Sequence, residues 1–292
     1  MYKYILSILF FVSNFWFNTS WSQLNKAKPS PSVKSKVVFF DDFSGKELNR
    51  KYWNVEVTGM HVNNELQAYI DSNATIQLVQ AKGASNGALK LQPIYNPGFI
   101  TQDGKKFDFV SGRINTNGKA DFTYGKFEAR IKLTEGDGLW PAWWMLGKEN
   151  WPETGEIDIM EYVGETDWIS AAVHGLGYSG DAGLVNRYYF PKNNDATQWH
   201  VYGVEWTEDS LVFKYDGITM FRVTKPMTNF FGKWAFNNPK YLILNYAVGG
   251  IYPFKVNGIQ APYYGLSEAT LQKIKNKESY MLVDWVKVTQ YQ

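Results

Sequence analysis

The chain of 292 residues is long enough to bury a substantial core, and aromatic residues make up 17% of it. It contains no cysteine and three histidines, which excludes disulfide scaffolds, thiolate metal sites and a cysteine nucleophile. The formal net charge is +2, but five lysines and no acidic residue lie within residues 1–36. The rest of the chain is therefore slightly acidic, which argues against a nucleic-acid binder with a large basic surface.

The N-terminal segment has the pattern of an export signal. Lys3 precedes a mostly apolar stretch from Ile5 to Phe17, and small residues follow it. We predict a signal peptide over residues 1–22, a flexible linker rich in Lys, Pro and Ser over 23–36, and one folded domain over 37–292. A membrane-spanning anchor is the alternative, but the apolar stretch is short and interrupted by polar residues. We therefore expect a secreted or periplasmic protein with no stable membrane insertion after cleavage.

Beyond residue 37, short runs typical of β-strands alternate with Gly, Asn and Asp turns. In chain order the predicted strands cover Val37–Phe40, Ala88–Ile94, Gly125–Leu133, Gly155–Val163, Trp199–Trp206, Leu211–Tyr215, Thr219–Val223, Tyr241–Val248 and Met281–Val288. Asp216-Gly217 predicts a hairpin turn. One helix is predicted over Ser267–Lys277, with Ser267 as its N-cap. Because no βαβ alternation and no repeat is visible, the pattern predicts an antiparallel sandwich or barrel.

The segment Gly175–Gly180 matches the GxGxxG spacing of dinucleotide-binding loops. That fingerprint requires a helix that opens at the third glycine inside a βαβ unit. Asp181, Ala182 and Gly183 follow instead, so we interpret the segment as a flexible loop. No HExxH or P-loop motif is present.

Three acidic residues, Glu156, Asp158 and Glu161, lie close together in an otherwise apolar strand. A solvated strand face is the simplest interpretation, but the core-forming residues between the acids argue for a central strand. In a regular strand Glu156 and Asp158 share one face, while Glu161 points to the other. One extra residue, Ile159 or Met160, in a β-bulge would return Glu161 to the same face.

With such a bulge, the Cα atoms of Glu156 and Glu161 would lie roughly 13 Å apart at ~3.3 Å per residue. Side chains that lean inward can bring the two carboxyl groups to about 5–5.5 Å, the separation used in retaining glycoside hydrolysis. Mutual repulsion and partial burial raise the pKa of at least one carboxyl, which keeps a proton available for a leaving group.

Four tryptophans crowd just upstream of the acids. Because alternate strand positions face opposite ways, we expect some of them in the core and the others in a flat apolar platform that suits a sugar ring. They are Trp140, Trp143, Trp144 and Trp151.

The run Glu156-Ile157-Asp158-Ile159-Met160-Glu161 resembles the ExDxxE catalytic signature of glycoside hydrolase family 16 in its bulged form. Blocks along nearly the whole mature chain resemble family blocks in the family's order: Phe40–Phe43, Asn63–Gln67, Ser111–Ile114, Tyr124–Lys132, Gly138–Gly147, Asn245–Gly250 and Val283–Val288. The aromatic motifs are most similar to bacterial laminarinases, which are endo-β-1,3-glucanases. The resemblance implies an all-β jelly-roll sandwich of two curved antiparallel sheets, concanavalin A-like, with a substrate groove across the concave face.

The resemblance also implies roles for individual residues. Glu156 would be the nucleophile of a retaining double displacement, Glu161 the general acid and then the base, and Asp158 would tune Glu161. Substrate-binding positions, each with a structural role as the alternative, are implied at Trp140, Trp144, His174, Glu128, Arg130, Asn63, Arg113 and Asn245.

A structural Ca²⁺ ion is implied on the convex side of the sandwich. Its ligands would be the Asp284 carboxylate and the backbone oxygens of Asp42 and Gly87, and oxygen ligands suit Ca²⁺. An ordinary polar role for Asp284 is the alternative. No cofactor is implied for catalysis.

The implied function is endo-acting hydrolysis of β-1,3-glucan by an exported monomer. A mixed-linkage β-1,3-1,4-glucanase and a hydrolase of a sulfated galactan stay open as alternatives, although a galactan enzyme would need a more basic groove. A non-catalytic glucan-binding protein is disfavoured because both glutamates are present, and no repeat or anchor supports an adhesive surface protein. The segment from Ile251 to Tyr280 is longer than the family blocks lead us to expect. If it borders the groove, it would influence which polymer fits.

Overall fold

The computed structural model describes residues 34–59 and 62–291. The predicted signal peptide and most of the predicted linker lie outside the described residues. The first strand begins at Ser35, two residues before the expected start of the folded domain. Within the described ranges, no helix is long and apolar enough to cross a membrane.

Two eight-stranded antiparallel sheets form the layers of the fold. The front sheet consists of β2 (Asn54–Val55), β8 (Arg113–Asn115), β9 (Asp121–Phe122), β11 (Leu139–Gly147), β12 (Glu156–Glu161), β13 (Trp168–His174), β14 (Leu184–Tyr189) and β18 (Lys240–Val248). The back sheet consists of β1 (Ser35–Asp41), β4 (Ile76–Val79), β5 (Ala88–Leu91), β10 (Gly125–Lys132), β15 (His200–Trp206), β16 (Ser210–Tyr215), β17 (Ile218–Thr224) and β19 (Met281–Tyr291). A small third sheet contains β3 (Gln67–Tyr69), β6 (Ile94–Ile100) and β7 (Lys106–Ser111). The predicted antiparallel sandwich is confirmed.

The core lies between the front and back sheets. Alternate residues of β10, Phe127, Ala129 and Ile131, are fully buried and belong to the same apolar cluster as Trp143 and Met145 of β11. Each large apolar side chain removed from water contributes about 1.5–3 kcal/mol. This interlayer packing therefore decides which face of each strand turns inward.

Of the helices in the described residues, the longest is α3 (Glu268–Lys275), and it confirms the predicted one. Its N-cap Ser267 accepts a hydrogen bond from the backbone N–H of Thr270 at 3.1 Å, and Leu271 and Ile274 are buried. Two further helices, α1 (Lys225–Phe231) and α2 (Ile251–Asn257), are not predicted by the sequence. Each has seven residues, too few for a helical period to stand out.

The strand β13 is also absent from the sequence prediction. Its residues from Trp168 to Val173 are all buried, so the alternation that marks a half-buried strand is missing. The GxGxxG segment follows β13 and makes a turn closed by an isolated bridge between Gly175 and Tyr178. It lies between two antiparallel strands, which confirms its interpretation as a loop.

The turn that leads into β12 depends on Gly155. Its φ angle is +75°, and a Cβ atom at this position would lie 2.3 Å from the backbone oxygen of Ala235. Any other residue here would therefore hold a strained backbone conformation, and its Cβ atom would collide with the backbone of Ala235.

We expect Gly155→Ala to lower the free energy of unfolding by about 3 kcal/mol or more, from backbone strain and overpacking combined. Gly217→Ala is the matched control, since Gly217 has φ +81° but no heavy atom within 4 Å of an added Cβ. The control should lose only about 1–2 kcal/mol. Urea unfolding of both variants measures the difference, and equal losses would show that the collision at Ala235 is relieved at no cost.

Candidate active site

A β-bulge at Ile159 and Met160 returns Glu161 to the face that carries Glu156 and Asp158. The register between β12 and β13 shifts between Asp158 and Glu161, so that two residues of β12 oppose one residue of β13. Ile159 and Met160 are both fully buried in the interlayer core. The structure therefore contains the bulge that the odd spacing predicts.

Pairing with β11 shows that the three acids share one face. Glu156, Asp158 and Glu161 oppose Leu146, Trp144 and Ala142, which are alternate residues of β11. Alternate residues of a strand point to the same side. Since the intervening Trp143 and Met145 are buried in the core, the acids lie on the outer face of the front sheet.

Glu156 is held by a tryptophan and lies next to two other polar groups. The indole N–H of Trp151 donates to Glu156 Oε2 at 2.6 Å, and His174 Nε2 lies 3.3 Å from Asp158 Oδ2. Burial, with the charge of Asp158, raises the pKa of Glu156 to about 8, while His174 and the Trp151 N–H act in the opposite direction.

Glu161 has a matching arrangement. The indole N–H of Trp140 donates to Glu161 Oε1 at 3.1 Å, and burial raises the pKa of Glu161 to about 7. Asp158 is only 3% exposed, and burial together with the charge of Glu161 holds its pKa well above the usual range. The cluster therefore retains at least one proton near neutral pH, as repulsion among clustered carboxylates predicts.

A second polar network lies beside the acids. The indole N–H of Trp144 donates to Asn245 Oδ1 at 2.7 Å, and Asn245 Nδ2 donates to the Tyr69 hydroxyl at 2.9 Å. The Arg113 guanidinium lies 5.0 Å from the centre of the Trp144 ring and pairs through Nε with Glu56 at 2.8 Å. Three of the sequence-predicted binding residues are thus brought together next to Asp158.

The sequence does not predict the contacts that two residues, Trp151 and Tyr252, make at this site. For the bond from Trp151 to Glu156, the one indication in the sequence is that Trp151 lies five residues before Glu156. Tyr252 of α2 contacts Ser170 Oγ through its hydroxyl at 3.0 Å and packs edge-on against Trp140. Burial raises the pKa of Tyr252 to about 12. The segment that begins at Ile251 therefore borders the acid-bearing face.

The prediction that Glu128 and Arg130 line the groove was wrong. Both lie on β10 of the back sheet, on its outer face, because the intervening residues of that strand face the core. Glu128 pairs with Lys126 at 2.7 Å and Lys287 at 3.2 Å, and Arg130 pairs with Asp284 at 2.5 Å. A period of two shows which residues share a face, but it does not show to which sheet the strand belongs.

Asn63 lies on an exposed 3₁₀ turn, Val62–Asn64, with a φ angle of 55°. Its side chain hydrogen-bonds the carboxyl of Glu65, and its backbone oxygen faces Gly250. The structure thus places Asn63 on a neighbouring loop and not on the sheet face that carries the acids.

The Asp284 carboxylate, the predicted anionic ligand of Ca²⁺, already has three hydrogen-bond donors in the structure. The buried Asp284 carboxylate accepts hydrogen bonds from Ser85 N at 2.7 Å, Ser85 Oγ at 3.0 Å and Arg130 Nη1 at 2.5 Å. Arg130 already neutralises the anionic oxygen that a calcium ion would need, so no step below depends on calcium.

Fold and site together define a β-sandwich protein with a carboxylate cluster on an open sheet face, where each glutamate is held by an indole N–H. The chain belongs to the glycosyl hydrolases family 16, whose model matches residues 50–286. This confirms the resemblance seen in the sequence.

Relatives of known description agree with this assignment. A beta-glucanase of Rhodothermus marinus is 33% identical over 246 residues, which cover 78% of this chain and 81% of that protein. Glucan endo-1,3-beta-glucosidase A1 of Niallia circulans is 34% identical over 236 residues, covering 73% of this chain but only 34% of the larger protein. The X-ray structure of an endo-beta-1,3-glucanase from Pyrococcus furiosus matches with a TM-score of 0.77 and 32% identity, over 90% of this chain and 97% of the other. The fold is therefore the jelly-roll sandwich that the sequence predicts.

Glu156→Gln tests the burial of this carboxyl without any substrate. The folded-state pKa of about 8 lies above the ordinary value of 4.5, so between these values the folded protein binds a proton that the unfolded chain has lost. The stability of the wild type should therefore fall as pH rises from about 5 to 8, and the variant lacks this loss. We expect the unfolding free energy of the variant, minus that of the wild type, to grow by about 1–3 kcal/mol over that interval.

Urea unfolding at several pH values measures this difference. Exposed Glu149→Gln, in the same hairpin loop, is the control and should show no such growth. A difference for Glu156→Gln that stayed constant with pH would contradict the burial of its charge.

Proposed function

We propose that the protein is an exported, endo-acting hydrolase that cleaves β-1,3-linked glucan with retention of anomeric configuration. The observation that carries this proposal is the bulge, which puts Glu156, Asp158 and Glu161 on one face of the front sheet. The printed descriptions of the relatives support the choice of a β-glucan as substrate. The N-terminal pattern supports export, and we propose that the enzyme acts as a monomer.

In the first step, a carboxylate oxygen of Glu156 attacks the anomeric carbon while the bond from that carbon to the leaving oxygen breaks. Glu161 gives its proton to the leaving oxygen, and a covalent glycosyl–enzyme ester remains. In the second step, Glu161 takes a proton from water, the water oxygen attacks the same carbon, and Glu156 leaves. Two inversions at one carbon restore the β configuration.

The hydrogen bonds at the site support this division of roles. Trp151 donates to Glu156 and stabilises its ionised form, which the attack requires. Asp158 lies between the two glutamates along β12, and repulsion between its carboxylate and that of Glu161 disfavours the state in which both are ionised. Trp140 donates to Glu161 and favours its ionised form, which the second step requires when Glu161 acts as the base.

Burial nevertheless gives Glu156 a higher pKa than Glu161 before substrate binds. The productive state, with Glu156 ionised and Glu161 protonated, is then a minor one in the free protein. A sugar hydroxyl that donates to Glu156 would lower its pKa and favour the productive state. Because the carboxyls interact, the cluster titrates as a unit.

Substrate contacts follow from the same face. The rings of Trp140 and Trp144 are partly exposed beside the acids and offer apolar surfaces to sugar rings. Arg113, beside Trp144, offers donors to sugar hydroxyls. These residues place the proposed sugar contacts on the β11, β18 and β8 side of the cleaved bond.

Hydrolysis is tested on a panel of laminarin, lichenan, agarose and carrageenan by release of reducing ends. We expect laminarin to be cleaved fastest, and both Glu156→Gln and Glu161→Gln to lower its turnover by at least about 10³-fold while the fold is kept. Proton NMR of fresh product should show the β anomer first, because double displacement retains configuration. Glu149→Gln should behave as the wild type.

Each contrary outcome has a definite meaning. Faster cleavage of lichenan would favour the mixed-linkage alternative, and cleavage of agarose or carrageenan alone would favour a galactan hydrolase. An initial α anomer would mean single displacement by water. Wild-type turnover by Glu156→Gln would remove Glu156 from the role of nucleophile.

The pH profile gives an independent test of the carboxylate cluster. We expect kcat/KM on laminarin to be bell-shaped with both limbs near neutral pH, since burial raises the pKa values of the two glutamates to about 7 and about 8. Asp158→Asn removes a negative charge that favours protonated Glu161, so its basic limb should move to lower pH. A basic limb that did not move in Asp158→Asn would show that Asp158 does not tune the acid.

A further inference from the structure

Lys240, the first residue of β18, is a fully buried cation. It shares the core-facing side of β18 with Leu242 and Leu244 and lies near the rings of Trp206 and Phe236. It forms no ion pair with any carboxylate in the part of the chain that the structure describes. Burial lowers its pKa to about 7.

Three oxygen atoms surround the ammonium group. Lys240 Nζ donates to the backbone oxygens of Thr154 at 2.6 Å and Ala235 at 3.2 Å, and to Asn238 Oδ1 at 2.9 Å. An ammonium has three N–H donors and matches these three acceptors, whereas a neutral amine has only two. The geometry is therefore that of a site for the charged form.

Such a site is unfavourable for folding alone. An ammonium without a carboxylate partner loses its hydration on burial, and backbone oxygens compensate only in part. The surrounding aromatic rings would accept an apolar side chain of similar volume at lower cost. The position of Lys240 relative to the acids offers a reason for its presence.

The contacts of Lys240 lie at the base of the hairpin loop that joins β11 to β12. Thr154, whose oxygen also accepts from Asn238 Nδ2 at 3.1 Å, is two residues before Glu156. The same loop carries Trp151, the indole donor to Glu156. Lys240 thus ties the loop that orients Glu156 to the chain segment 235–240.

Charge connects the same two residues. Glu156 is the titratable group whose charge acts on Lys240, and it favours the ammonium form. A Coulomb interaction is reciprocal, so the ammonium favours the ionised form of Glu156 once a sugar hydroxyl has lowered the pKa of that carboxyl below the pKa of Lys240. On its own sheet face, Glu156 also meets Asp158, which acts against ionisation, and His174, which favours it.

We propose that Lys240 is a positioning residue for Glu156: from the core side of the front sheet it anchors the 148–155 loop and supports the ionised carboxylate. This proposal rests on the proposed function, because it takes Glu156 as the nucleophile. It adds a buried cation to a site whose other described members lie on the outer face.

The test compares three single variants. Lys240→Met removes both the charge and the anchor. Asn238→Ala removes the bond to Thr154 and one of the three acceptors of the ammonium but leaves the charged residue in place. Lys119→Met is the control for loss of a lysine anchor at the surface, because exposed Lys119 also donates to two backbone oxygens, those of Arg50 and Trp53. The readouts are kcat and KM on laminarin, the acidic limb of the profile of kcat against pH, and amide hydrogen exchange of peptides that cover residues 148–156.

For Lys240→Met we expect a loss of kcat of about 10- to 100-fold, with a much smaller change in KM. In the profile of kcat against pH, where bound substrate has lowered the pKa of Glu156, the acidic limb should move up by about half a pH unit, because the carboxylate of Glu156 has lost a supporting charge. Exchange in the loop should become at least about tenfold faster. Asn238→Ala should speed exchange without moving the limb, and Lys119→Met should change neither.

If Lys240→Met keeps the acidic limb and the amide exchange rate of the wild type, the proposal is wrong. If amide exchange in the loop becomes faster but the acidic limb does not move, only the electrostatic part of the proposal is wrong. If Lys240→Met does not fold, Lys240→Gln replaces it, with the same shift of the acidic limb expected.

One measurement does not need activity. The gain in unfolding free energy that Glu156→Gln shows as pH rises should be larger when Lys240→Met is also present. If the wild type hydrolyses no polysaccharide of the panel, the proposed function fails, while this gain and the loop exchange still decide whether Lys240 positions Glu156.

Discussion

The arrangement of the site depends on two adjacent core residues, Ile159 and Met160, that oppose a single position of β13. Both are fully buried, and in a regular strand only one of two neighbours can face the core. The bulge allows both to face the core, and as a consequence it turns Glu161 outward, to the face that carries Asp158. The interlayer packing that stabilises the sandwich thus also selects the register that assembles the carboxylate cluster. Loss of either apolar side chain from the core would therefore reduce the packing energy that stabilises the bulged register.

The tryptophans act first as hydrogen-bond donors and only then as apolar surfaces. Trp151 and Trp140 each donate to one glutamate, and Trp144 donates to Asn245. An indole N–H that reaches a carboxylate stabilises the ionised form against the burial that raises its pKa. Because the rings are rigid and large, the same contacts fix the carboxyl groups in place and leave ring surface open beside them. Trp143, on the opposite face of β11, belongs wholly to the core.

Charged groups are treated differently on the two sheets. On the outer face of the back sheet, Glu128 and Arg130 are neutralised by direct ion pairs, and Asp284 is buried with its partner. On the front sheet the three acids have no lysine or arginine in direct contact among the ion pairs of the described residues, and their charge is moderated by indoles and His174. Lys240 lies between the two sheets with only neutral oxygens around it. Buried charge without an oppositely charged partner at salt-bridge distance therefore occurs at β12 and at Lys240, where burial shifts the pKa values strongly.

The residue pattern by itself determined an antiparallel sandwich or barrel, the capped helix α3 and the bulge in β12. Each depends on local information: alternating apolar residues, a serine at a helix start, and an i to i+5 spacing of acids that only an extra residue reconciles with one face. The family resemblance then added roles for Glu156, Asp158 and Glu161.

Only the tertiary structure decided which strands share a sheet. A period of two assigned Glu128 and Arg130 to a polar face, but pairing between distant strands put that face on the back of the molecule. The same long-range pairing brought Trp144, Arg113 and Asn245 together and placed Tyr252 against Trp140. It also set the Lys240 ammonium under the loop that carries Trp151. These contacts join residues far apart along the chain, and their partners are chosen by packing between layers, which leaves no trace in local spacing.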